Sequence, residues 1–306
     1  MKKIKTKIII IGGTGFVGFH LAKFLLKKNY KVISVSRNKP KKIRFLNKVK
    51  YIRADIVLKK KLLNSLKDHL DSQFIINCGG EVEHKNIKKT FFSHSKGSIN
   101  VANIFLNRSL KKFIQIGSSL EYGFLKSPQS EKILCSPKSN YPSAKYLASK
   151  NLLDLHKNYN FPLVLIRPYQ LYGPAQDTNR FIPFVIKACL QNKYFPCSEG
   201  KQYRDFLYID DFVNFIFKVI IKDNIKGEIF NVGYGYPNKI KKIISKITKM
   251  VKKGRPQYGK IKLRIEENLI TYPNIKKATK FTGWKPKIKI DLGLKKTINY
   301  YRNLYS

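Results

Sequence analysis

Carboxylates are scarce in this chain. Asp and Glu together number 18 against 62 Lys and Arg, giving a formal net charge of +44 over 306 residues. An imbalance of that size raises a nucleic acid or an anionic membrane as partner. Lysine supplies 52 of the cations, however, scattered almost evenly, with no basic helix, zinc finger or aromatic RNA-binding signature. The charge is therefore read as compositional, with no specific nucleic-acid partner, although a basic surface still concentrates an anionic ligand such as a nucleotide diphosphate. No apolar run approaches 18 residues, which leaves no transmembrane span and no membrane partner. Cysteine is rare too. Cys78, Cys135, Cys189 and Cys197 have neither metal spacing nor a close-set framework, so reduced thiols in a cytoplasmic protein without a metal site are expected. The N-terminal MKKIKTKIIIIGGTGF has lysines before an apolar run, as a signal peptide does. The run is only Ile8–Ile11 and stops at a glycine turn without a cleavage site, so it reads as a first β-strand.

What is present is alternation. Short, apolar, mostly β-branched segments occur at Lys7–Ile11, Lys31–Ser36, Lys50–Ala54, Phe74–Cys78, Lys112–Gly117 and Leu163–Arg167, as buried parallel strands require. Helical segments lie between them at Val17–Lys28, Lys60–Leu70, Lys96–Ser109 and Tyr141–Tyr159. The expected fold class is α/β, a Rossmann-type doubly wound parallel sheet with a smaller C-terminal substrate lobe. Residues 1–168 form the expected dinucleotide-binding domain. Residues 169–306 form the lobe, with some segments returning to the sheet.

The first strand runs into GGTGFVG, with Gly12, Gly15 and Gly18 spaced G-x-x-G-x-x-G. Glycines there let the turn tighten and let backbone N–H groups approach a pyrophosphate at the next helix's N-terminus, so Thr14, Phe16 and Val17 join the cofactor set. An acidic residue ending the second strand would accept from the adenosine ribose and favour NAD. The chain instead reads Ser36-Arg37-Asn38. An arginine there can pair with a 2′-phosphate, which favours NADP(H), with NAD(H) as the other option. Asp55 and Ile56, after the third strand, sit where an adenine edge could bind.

A tyrosine and a lysine four apart share one helix face, and the ammonium favours the phenolate, lowering the phenol's pKa. Five such pairs occur: Tyr122/Lys126, Tyr141/Lys145, Tyr146/Lys150, Tyr258/Lys262 and Tyr272/Lys276. With 18 tyrosines and 52 lysines, chance alone supplies several, so spacing by itself selects none.

Taken together, these segments resemble the extended short-chain dehydrogenase/reductase family, in its nucleotide-sugar branch. GGTGFVG is similar to its cofactor loop, NCGG (77–80) loosely to its fourth-strand signature, GSSLEYG (117–123) to its serine segment, and YPSAK to its Tyr-x-x-x-Lys. RPYQLYGP (167–174) and RDFLYIDD (204–211) resemble later landmarks, with NVG (231–233) and GWKP (283–286) as weaker echoes. The resemblance covers nearly the whole chain in order. It implies Cys78, Gly79 and Pro168 as further cofactor contacts, and Ser118 as the catalytic serine, with Ser119 as fallback. Only Tyr141 opens a helix between the fifth and sixth strands, and Pro142 suits the first helical turn. The implied triad is Ser118, Tyr141 and Lys145: Tyr141 exchanges a proton with the sugar oxygen, Lys145 biases its pKa and holds the nicotinamide ribose, and Ser118 orients the oxygen. Hydride chemistry belongs to the nicotinamide. Relatives commonly pair as homodimers through the tyrosine helix.

Three chemistries share this fold. The similar dehydratases carry a carboxylate two or three residues before the segment's tyrosine, where this chain has Leu120 and Ser119; Glu121 could equally be a solvated loop residue. Dehydration and UDP-glucuronate decarboxylation are disfavoured. A 4-epimerase typically retains NAD, whereas a 4-keto reductase draws NADPH, which fits Arg37 together with a bare Ser-Tyr-Lys set. The favoured reading is NADPH-dependent reduction of a nucleotide-4-keto-6-deoxy sugar, with the NAD-dependent 4-epimerase as the alternative. A basic binding protein that keeps the fold without chemistry is the non-enzymatic alternative. By position, Arg204 resembles an arginine that meets the nucleotide diphosphate. Gln170 and Asn179 could bind sugar or phosphate, and Arg264 is a further phosphate candidate. Glu81, Glu83 and His84 could face the sugar or solvent. Asp210 and Asp211 are expected to cap the following helix, and His94 to be structural.

Overall fold

The computed structural model describes residues 6–81, 86–263 and 268–305. Seven parallel strands form the main sheet. Six follow the sequence expectation: β1 Lys7–Ile11, β2 Lys31–Ser36, β3 Lys50–Arg53, β4 Phe74–Asn77, β5 Lys112–Ile116 and β6 Leu163–Pro168. The seventh, Ile229–Val232, comes from the C-terminal part of the chain and pairs with β6 at the sheet's edge. The β1 residues Ile8, Ile9, Ile10 and Ile11 are all buried, alternating between two apolar cores on opposite faces of the sheet. That is why the strand reads as a continuous hydrophobic run.

Strand order decides where a ligand sits. β2 and β3 lie on one side of β1, while β4, β5 and β6 lie on the other. The chain therefore reverses direction of winding between β1 and β4, and their carboxyl ends open a crevice. Buried Asn77 shapes that end of β4. Its side-chain amide donates to Gln115 Oε1 and Ser98 Oγ, and its Oδ1 accepts from Gly79 N.

The helix expected from Lys96 begins earlier. Ile87–Phe91 is helical, Phe92–Lys96 forms a π-helical turn, and Gly97–Phe105 continues as α-helix. The π turn sets buried His94 toward the helix Asn140–Tyr159, where its ring meets Tyr141 edge-on at 5.2 Å. Beyond β6, strand Tyr203–Tyr208 pairs with Gln170–Tyr172, Pro237–Lys239 and Ile270–Thr271 in a second sheet.

The aspartates expected to cap the helix Ile209–Ile221 do not do so. Its N-cap is Tyr208, with no side-chain cap. Asp211 is buried and accepts instead from the Lys287 and Ile288 backbone N–H groups, tying down the segment after GWKP. Helix-cap chemistry is local, and a contact 76 residues away has no local signal.

Candidate active site

The glycine turn is built by close approach. Gly12 adopts φ +74° and its carbonyl accepts from Gly15 N at 3.0 Å. A Cβ on Gly18 would lie 2.4 Å from that carbonyl oxygen, so no larger residue lets helix Phe16–Lys27 pack so tightly on the turn. A Cβ on Gly79 would lie 2.7 Å from Ile11 Cγ2 across the crevice. The first helical turn carries no carboxylate to compete for its N–H groups. Thr14, Phe16 and Val17 are partly exposed there, and Thr14 N reaches Ser36 Oγ at 3.4 Å. This cradle fits a pyrophosphate. Asp55 is committed locally, accepting from Val57 N, and Ile56 is buried beneath Gly97.

Arg37 is not a solitary cation. Its Nη2 lies 3.1 Å from Glu81 Oε2, and Lys89 Nζ approaches the same oxygen at 3.3 Å. Burial pushes the Glu81 carboxyl up, but the hydrogen bonds from Arg37 and Lys89 outweigh it and hold the group below the usual carboxylate range. The expectation of Glu81 facing sugar or solvent is thus corrected. Glu83, His84 and Arg264 lie outside the described residues.

At the carboxyl end of β5, Ser118 caps the short 3-10 turn Ser119–Tyr122. Its Oγ accepts from Leu120 N, and its side chain acts on the Tyr141 phenol, favouring the phenolate. Ser119, the fallback, is buried beside it. Tyr141 stands in the first turn of helix Asn140–Tyr159. One turn on, Lys145 is buried, and its Nζ donates to Ile116 O at 2.9 Å. Cys78 adjoins it, and burial pushes that thiol up to about 12. Pro168 ends β6 nearby.

The expected depression of the Tyr141 phenol by Lys145 is not what the structure has. Burial pushes the phenol up to about 12, opposed by the Ser118 hydrogen bond and by Arg180, and reinforced by Glu121. Lys145 is itself held low by burial, and its ammonium is engaged by a carbonyl. Two of the other pairs lead elsewhere. Tyr122 is fully buried, with its hydroxyl on Asn231 Oδ1, and Lys150 on the tyrosine helix faces solvent.

Glu121 is the largest surprise. Far from being solvated, it is fully buried, and its two oxygens meet Ser118 N at 2.8 Å and Arg167 Nε at 3.0 Å. Arg180, which sequence reasoning passed over, belongs to the electrostatic surroundings of Tyr141.

Further out, a cleft of about 340 Å³ is lined by Gln170, Phe181, Arg204, Phe206, Ile240 and Leu263. It brings Gln170 and Arg204 together, whereas exposed Asn179 is outside its lining. Arg204 Nη1 donates to Tyr203 O at 2.8 Å, fixing the guanidinium on the cleft wall. Among the described residues no helix is long and apolar enough to cross a membrane, and no cluster of His, Cys, Asp and Glu could hold a metal.

Comparison with known proteins agrees with this geometry. The chain is 28% identical over 256 residues to a dTDP-D-glucose 4,6-dehydratase of Dictyostelium discoideum, covering 74% of this chain and 58% of that one. It is 26% identical over 310 residues to a putative UDP-glucose 4-epimerase of Methanocaldococcus jannaschii, covering 97% and 98% respectively. A crystal structure of UDP-glucuronic acid 4-epimerase from Bacillus cereus, in complex with UDP-glucuronic acid and NAD, superposes with TM-score 0.89. That protein is 26% identical, and the match covers 98% of this chain and all of that one. The family model described as NAD dependent epimerase/dehydratase family matches residues 8–233, and the chain belongs to that family.

Proposed function

We propose that this enzyme inverts C4 of a nucleotide sugar, most simply a UDP-sugar, with NAD retained at the glycine cradle. One observation carries the reading: among the described residues, the carboxylate that stands with the Ser118, Tyr141 and Lys145 set is Glu121, and Arg167 holds it. Leu120 and Ser119 replace the carboxylate positions of the similar dehydratases, and Glu121 is sealed behind Ser118 by Arg167. It is unavailable to remove a sugar proton. The epimerases among the matched proteins support the same choice. The reductase reading rested on Arg37 as a 2′-phosphate ligand, together with the same bare Ser-Tyr-Lys set. The Glu81 carboxylate on that guanidinium weakens it.

When bound, the dinucleotide supplies hydride acceptance from C4 and its return. The chain does the rest. Tyr141 takes the proton from the 4-hydroxyl and gives it back, Ser118 aligns that oxygen, and Lys145 offers the nicotinamide ribose an ammonium next to Tyr141. Arg204 and Gln170 hold the nucleotide end in the cleft. A cytoplasmic homodimer, paired through the helix whose Leu147 and Tyr159 are exposed, belongs to the same reading.

The direct experiment incubates purified protein with UDP-glucose, UDP-glucuronic acid and nucleotide-4-keto-6-deoxy sugars, resolving products by NMR. The C4 epimer of a UDP-sugar is expected without added reductant, and NAD on release from denatured protein. NADPH consumed in step with reduction of a 4-keto sugar, with no epimer, would sink the proposal.

Cofactor choice carries its own expectation. Glu81 takes over, from the end of β4, the carboxylate that the end of β2 lacks, and it neutralises Arg37. In Glu81→Gln the guanidinium is released toward a 2′-phosphate, so the NADP/NAD affinity ratio should rise about tenfold. Dinucleotide titration by fluorescence reads this directly. An unchanged ratio would mean that the pair does not govern the choice.

A further inference from the structure

A buried ion pair is weak evidence of a stabilising role, because an apolar pair of similar volume often serves as well. Glu121 and Arg167 therefore call for another explanation. Both side chains are almost wholly enclosed, at 0% and 4% exposure. The Arg167 guanidinium also lies 4.7 Å from the centre of the Tyr122 ring. Gly117 makes room for the arrangement, since a Cβ there would fall 2.4 Å from Glu121 Oε1.

We propose that Glu121 is a positioning residue for the reaction, clamped by Arg167 on β6 so that its other oxygen fixes the Ser118 backbone and aims the serine hydroxyl at Tyr141. The inference rests on the proposed roles of Ser118, Tyr141 and Lys145. The geometry is a reciprocal capping box: Ser118 Oγ accepts from Leu120 N, while the Glu121 carboxylate accepts from Ser118 N. With Leu120 N–H occupying one lone pair of Oγ, the hydroxyl proton stays available to the Tyr141 oxygen, on which the serine acts. Arg167 fastens the turn to the sheet beside β5, so Ser118 cannot drift without breaking a charged hydrogen bond.

The carboxylate also acts through its charge. Around Tyr141 stand Ser118, Glu121 on the 3-10 turn, Arg180 before helix Phe181–Leu190, Lys145 one turn along its own helix, and the His94 ring edge. Around Lys145 stand Glu121, Cys78 and the Ile116 carbonyl. Glu121 opposes the phenolate and favours the ammonium. It adds to the burial that keeps the proton on Tyr141 and counters the burial that disfavours the charge on Lys145.

The test compares wild type, Glu121→Asp, the charge-free double variant Glu121→Gln/Arg167→Met, and Tyr141→Phe as control, using whichever nucleotide sugar turns over. Folding and dinucleotide binding are checked first. The double variant should lose kcat by about 10- to 100-fold with little change in KM, as for a misplaced catalytic group. Its rising pH limb should move acid by roughly half a unit, because the charge opposing the phenolate is gone. Glu121→Asp keeps the charge but withdraws the carboxylate from Ser118 N. It should lose kcat without moving the limb, and it carries the test if the double variant does not fold. Wild-type kcat and limb in the variants, with Tyr141→Phe inactive, would overturn the inference and leave the catalytic reading standing. An active Tyr141→Phe would overturn both.

Discussion

Tyr141→Phe should reduce turnover by about 10³-fold while leaving the fold and dinucleotide affinity intact. The substitution removes one oxygen. The ring keeps its packing against His94, and Lys145 keeps its hydrogen bond to Ile116 O. What disappears is the group that exchanges a proton with the sugar, and Ser118, with no base of its own, cannot replace it. The pH dependence follows from the burial that pushes the phenol up to about 12. At neutral pH the unliganded enzyme holds Tyr141 protonated, so proton removal from the substrate becomes easier as pH rises. The rate should climb with pH in wild type, and the residual rate of Tyr141→Phe should be flat. The check is steady-state kinetics on a matched pH series, with the melting temperature of each protein measured alongside. A variant within a few fold of wild type would remove Tyr141 from the mechanism.

How much of this was legible in the sequence depends on the range of the interaction. Strands buried on both faces announce themselves in a few adjacent residues, so β1 to β6 were readable to within a residue or two. The glycine cradle was readable too, because Gly12 and Gly18 touch each other's surroundings within a single turn. The choice among five tyrosine–lysine pairs needed only the order of strands. Failures came where a side chain finds its partner far along the chain. Arg37 looked like a phosphate ligand because Glu81, 44 residues on, is invisible from its neighbourhood. Glu121 could equally be read as solvated because Arg167 stands 46 residues away and Gly117 leaves room without saying what fills it. The helical start at Ile87 was hidden by the polar FSHS stretch, which forms a π turn rather than a regular amphipathic face. The return of Ile229–Val232 to the sheet was anticipated only as a general possibility, since a four-residue apolar run fits either sheet.

Asp205→Ala should cost about 3 kcal/mol of stability and raise KM for the nucleotide sugar more than it lowers kcat. Asp205 is fully buried in strand Tyr203–Tyr208, where its carboxylate accepts from the backbone N–H groups of Tyr234, Gly235 and Tyr236 at 2.7, 2.6 and 3.0 Å. Each orphaned buried donor costs about 1–3 kcal/mol, and partial relaxation of the turn brings the sum to the lower end. Burial pushes the carboxyl up to about 7 despite those three donors. The folded state then binds the proton more tightly than the unfolded chain, so this group's contribution to stability falls as pH rises from its ordinary 3.8 to about 7. The variant has no such term, and its deficit against wild type should widen toward acid pH in denaturant titrations. The functional consequence comes through register. Asp205 pairs with Pro237 and Arg204 with Asn238, so loosening the turn before Pro237 frees the strand that holds the guanidinium on the cleft wall. Equal stability of the two proteins, or a loss confined to kcat, would show that the turn and the cleft are independent.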